Sequence, residues 1–172
     1  MPEYADIYSL HRTRSQSAIH TFIERFMAGG EVATDEFALP PHALVPEHTF
    51  QTVWDLIEHC CRHTEQSTWI PWRGASGCRP EHGSIEFLAD GSIVFGLSTD
   101  SIDQDYADQL CEQLASLNGA VASYITHEDT SPETTDTFLS LVRSLPVVQT
   151  GVDQSDVRSS RARRLGSLLI PT

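Results

Sequence analysis

SIEFLADGSIVFGLSTD, residues Ser84 to Asp100, holds two β-branched and aromatic runs, Ile85–Leu88 and Ile93–Leu97, either side of Asp90-Gly91. That pattern reads as a β-hairpin. A two-residue Asp-Gly loop would set Phe87 against Val94 and throw Ile93, Phe95 and Leu97 onto the face opposite Ile85 and Phe87. A three-residue loop, Ala89-Asp90-Gly91 with Gly91 in the left-handed region, pairs Phe87 with Ile93 and Ile85 with Phe95. It gathers the large side chains on one face, and a one-residue slip would scatter them. The three-residue loop is therefore expected. The other face carries Ser84, Glu86, Leu88, Val94, Gly96 and Ser98, a mixed set that predicts partial cover. Gly96 opposite Ser84 leaves a flat spot open to close approach.

Working outward, Glu3–Leu10 alternates loosely and reads as a strand. Ser15–Met27 sets Ile19, Phe22, Ile23, Phe26 and Met27 on one helical stripe, closed by Gly29-Gly30. Glu31–His48 is rich in Pro and acids and reads as a long connection, either a flap or packing laid over a sheet edge. Thr49–His63 is a second helix. Thr68–Trp72 reads as an edge strand or strand end because Pro71 removes a ladder donor, and the polar loop Arg73–Gly83 leads into the hairpin.

Beyond the hairpin, Asp100 or Ser101 caps a third helix whose core stripe is Ile102, Tyr106, Leu110, Leu114 and Leu117. Ala120–Thr126 is a strand. Thr130-Ser131-Pro132-Glu133 opens a fourth helix with Phe138, Leu141, Val142 and Leu145 inward, stopped by Pro146. Residues 1–148 then form one domain, and 149–172 a flexible arginine-rich tail whose Leu165, Leu168, Leu169 and Ile170 could dock. The fold class is α+β: a mostly antiparallel sheet of about five strands with helices largely on one face. A ferredoxin-like split βαβ core is expected around the hairpin, the third helix and strand 120–126.

The 172 residues carry a net charge of −13, with no lysine and 11 arginines. Residues 1–157 hold seven of the arginines and all 24 acids, a net −17. Such a body disfavours nucleic acid and anionic membrane, which are polyanions, and suits a basic protein partner. Four cysteines (60, 61, 78 and 111), no secretory leader and no membrane span point to a cytoplasmic protein with reduced thiols.

Motifs for chemistry are sparse. His59 and His63, four apart on the second helix, share a face and are the weak metal candidates. The zinc-protease pattern needs Glu after the first His, and Cys60 stands there, about 100° round the helix. A solvated polar face is the plainer reading. In the loop RGASGCRPEHG, Cys78 with neighbouring arginines and His82 as base is a candidate thiol pair; its plainer reading is an exposed connection. Trp69, Trp72, Arg73, Arg79 and Glu81, in and beside that loop, are the candidate contact residues. The acids of DSIDQDYAD lack the EF-hand spacing and read as dipole-complementing helix-start residues. No phosphate loop, nucleophile elbow, CxxC pair or dinucleotide fingerprint occurs, and no cofactor is expected.

In size and charge the chain resembles small acidic bacterial proteins that bind or neutralise another protein, such as the immunity proteins of toxin systems. The resemblance covers no motif. The expected function is a non-catalytic, inhibitor-like module for a basic partner. Its alternatives are a small thiol- or metal-dependent enzyme working from the Arg73–Gly83 loop, and a structural homodimer subunit.

Overall fold

The computed structural model of the chain describes residues 4–100, 103–127, 130–145, 147–148 and 162–165. Five strands of six to eight residues make the body of the sheet: β1 (Tyr4–His11), β5 (Thr68–Arg73), β6 (His82–Phe87), β7 (Ile93–Asp100) and β8 (Ala120–His127). Short strands extend it: β2 (Glu31–Val32), β9 (Val147–Val148) and β10 (Ala162–Leu165). The order is β2-β5-β6-β7-β1-β8-β10-β9, antiparallel except at β9/β10. With the helices α1 (Gln16–Phe26), α2 (Val53–Arg62), α3 (Gln104–Ala115) and α4 (Thr135–Ser144), this is an α+β fold.

The hairpin β6–β7 has the expected register. Phe87 faces Ile93, Ile85 faces Phe95 and Ser84 faces Gly96. The Leu88 N–H donates to Ser92 O at 3.1 Å, which leaves Ala89-Asp90-Gly91 as the loop, with Gly91 at φ +88°. The segment α3 connects β7 to β8, and β1 lies between those two strands, antiparallel to both. The ferredoxin-like core expected around this crossover is not confirmed.

Three helices share one face. Ile19, Phe22 and Phe26 of α1, Leu56 and Ile57 of α2, and Leu110 and Leu114 of α3 pack on Ile7, Ile70, Ile85, Phe95 and Leu97. The Phe22 and Phe95 rings stack at 4.6 Å. Arg14, between β1 and α1, is buried in this layer and donates to Cys60 O (2.6 Å), His63 O (3.0 Å), Gln66 O (2.7 Å) and Leu88 O. It ties carbonyls at the end of α2, which that helix cannot satisfy itself, to the β6–β7 loop. The fourth helix alone packs on the other face, with Phe138, Leu139 and Val142 against Leu10, Leu88, Val94 and Tyr124. Asp90 fixes its start: the Thr135 N–H donates to Asp90 Oδ2 at 2.8 Å.

Several element bounds differ from the sequence reading. The helix α4 starts after Thr134 rather than near Pro132, because Thr134 and Thr137 form a reciprocal cap there. Similarly Thr52 and Asp55 cap α2, later than Thr49. The long connection contains a separate two-stranded hairpin, β3 (Ala38–Leu39) with β4 (His48–Thr49). The N-cap of α3 is Asp103, and Ile102 and Pro146 lie outside the described residues. So do 149–161 and 166–172, with the docking candidates Leu168, Leu169 and Ile170; the backbone of β10 pairs with β8.

Candidate binding groove

Alternation along the strands decides which side chains meet on the face that α4 only half covers. In antiparallel pairs, directly opposed residues point the same way. Trp69 therefore stands beside Glu86, Pro71 beside Ser84, and His82 beside Ser98. On the next strand Asp6 opposes Ser98 and Tyr8 opposes Gly96. Together with Thr130 and Ser131, residues of this set line a groove of about 630 Å3. Gly96 makes its floor possible. A Cβ there would lie 2.3 Å from Ser84 Oγ and 3.1 Å from the Tyr8 ring, so glycine lets both side chains lie flat across the strand.

The groove is lined by aromatic rings and one carboxyl, Glu86. Trp69 is 58% exposed at its rim. Glu86 is half-buried, and burial raises its carboxyl above the usual range; the nearby Ser131 hydroxyl opposes this and Glu133 reinforces it. Among the described residues no arginine forms an ion pair with Glu86. Asp6 accepts from the Ser98 hydroxyl, and His82 meets the edge of Tyr4 at 6.3 Å between ring centroids.

Of the residues singled out by sequence, Trp69, Trp72 and His82 line this groove. Trp72 is buried, near Trp54 on its other side (6.5 Å). Of the remaining loop residues, Arg73 opposes His82 and so shares the groove's face without lining the groove, and the others lie outside it. Arg73 pairs with Glu31 at 3.4 Å. Arg79 pairs with Asp103 at 3.1 Å and lies over the Tyr106 ring at 4.5 Å. Glu81 is exposed and its carbonyl accepts from Gly74 N–H, closing the loop. Cys78 is exposed in that loop, outside the groove that His82 lines. All four cysteines are free thiols, and burial pushes Cys60 up to about 12, which holds it protonated.

His59 and His63 do stack, at 4.3 Å between centroids, and His48 of β4 joins them at 4.9 Å from His59. Among the described residues no group of three or more His, Cys, Asp or Glu has the arrangement to hold a metal ion. No helix among them is long and apolar enough to cross a membrane. Sequence reasoning did not single out Tyr8 or Asp6 as site residues. Their signal lay in strand order, which puts β1 beside β7 and which local pattern does not reveal. The chain matches no protein-family model, no curated protein and no solved structure.

Proposed function

We propose that the protein is a non-catalytic, inhibitor- or immunity-like binding module of the cytoplasm that takes a basic segment of another protein along the groove. The observation that carries this reading is a half-buried Glu86 carboxyl, with no arginine paired to it among the described residues, next to an exposed indole. Desolvating a carboxylate is unfavourable, and an incoming guanidinium offsets that cost with charge-assisted hydrogen bonds. The indole face of Trp69 adds a second, cation–π contact. The net charge of −13 steers a basic partner in and repels acidic ones. The second contact region is the tip of the β3–β4 hairpin, where Leu44 and Val45 are 103% and 86% exposed.

An arginine-rich peptide titrated calorimetrically tests the reading. Binding weakens with added salt, and Glu86→Gln weakens it about tenfold or more, the scale of one charge-assisted hydrogen bond. Binding that is indifferent to salt and to Glu86→Gln would overturn it.

A further inference from the structure

We propose that the imidazoles of His48, His59 and His63 form an acid-operated latch that holds the β3–β4 hairpin on α2 and releases it on protonation. The hairpin is closed by its own backbone: Glu47 N–H donates to Leu39 O and Phe50 N–H to Phe37 O, each at 2.8 Å. Its inner strand is sunk in the core through Ala38 and Leu39. Its outer strand meets α2 through rings: His48 lies 4.9 Å and Phe50 5.1 Å from His59, which in turn stacks on His63. Pro40, Pro41 and Pro46 stiffen the intervening turn, so movement of β4 carries the exposed Leu44 and Val45 with it.

Neutral imidazoles stack favourably. Imidazolium ions at these separations repel, and His59 sits between the other two. Its Nε2 is buried with no hydrogen-bond partner, so a proton placed there gains no acceptor inside the stack. Burial, then the His63 and His48 rings, hold His59 below the ordinary imidazole range, while Glu65 pulls the other way. Glu65 lies 3.6 Å from His63 Nδ1, Glu58 pairs with Arg62 on α2, and His42 of the hairpin pairs with Glu36. Of the other carboxylates, Asp55 on α2 is held in the Thr52 cap and Glu47 is the chain neighbour of His48. To take up charge, His59 leaves the stack, and β4 loses its hold on α2. The consequence for partner binding rests on the proposed function; the release itself does not.

The test is amide exchange by NMR at about pH 7.5 and about pH 5, on either side of ordinary imidazole titration. It reads protection factors at Glu47 and Phe50, the two amides that close the hairpin. In a His11→Gln background, which removes the sheet-wide acid loss that His11 itself causes, these fall about fivefold or more in acid, the scale of one like-charge contact at the surface, while amides of β6, β7 and β1 hold. His59→Phe keeps the ring contact without the charge and retains protection at both pH values. His48→Phe gives the same result and serves if His59→Phe fails to fold. On that background, equal protection at both pH values, a loss shared by the whole sheet, or the same hairpin loss in the Phe variants would overturn the latch. Peptide affinity and its Glu86→Gln dependence at neutral pH are read separately, so the groove and the latch fail independently.

Discussion

The two faces of the sheet are built from the same strands and differ in what covers them. On one face three helices bury Phe22, Phe95, Ile85 and Leu97; there Arg14 caps carbonyls, and Ser123, Ser9 and His11 form a chain at 3.0 and 3.5 Å, while the buried Thr99 hydroxyl has no hydrogen-bond partner. On the other face one helix covers the end near Leu88 and Val94 and leaves Trp69, Glu86 and Ser84 over a groove. The contrast separates scaffold from surface. A closed face commits its side chains to packing, whereas the half-buried Glu86 carboxyl has no arginine paired to it among the described residues, the feature on which the proposed partner reading rests.

The contrast breaks most visibly at a pair of large-to-small substitutions. Phe95→Ala removes a ring packed between Phe22 and His11, and urea denaturation should show a loss of about 3–5 kcal/mol. A loss under about 1 kcal/mol would mean that the closed face is not the scaffold.

The closed face also sets an acid dependence. Burial lowers His11 from 6.5 to about 4, with a backbone hydrogen bond to Asn118 opposing. Between those values the unfolded chain takes up a proton that the folded chain refuses. Stability is therefore full above pH 6.5 and falls as pH drops to about 4, by about 3 kcal/mol from this group. Stability measured across that range should fall less steeply in His11→Gln; an unchanged slope would remove His11 from the account.

The smallest effect on stability is expected at the open face. Trp69→Ala should change stability by no more than about 0.5 kcal/mol, because the indole lies mostly in solvent. The same variant should lose peptide affinity severalfold. A large stability loss would place Trp69 in the scaffold and remove the sharpest difference between the faces.

The hairpin register was legible because a slip of one residue separates Phe87 and Ile85 from Ile93 and Phe95, and no polar arrangement compensates. Helix starts were less legible. The sequence SPETTDT offers two N-terminal signals, and the Thr134–Thr137 cap prevails over the proline. The β3–β4 hairpin escaped notice because strands of two residues carry no periodicity. Arg14 was silent for another reason: its partners are backbone carbonyls 46 to 78 residues away, and any residue supplies a carbonyl. For the groove, the mixed face of Ser84, Glu86, Gly96 and Ser98 was readable from alternation, and Trp69 and His82 from their places beside the loop. Tyr8 and Asp6 were not, since they reach the site through the adjacency of β1 and β7.

The central claim is that the open face, not the helical face, receives a basic segment. Chemical-shift mapping of the isotope-labelled protein with an arginine-rich peptide tests it most directly. The account predicts that shifts cluster at the Trp69 indole and at the amides of Ser84, Glu86, Gly96 and Ser98. Shifts confined to α1 and α3, or none at saturating peptide, would contradict it.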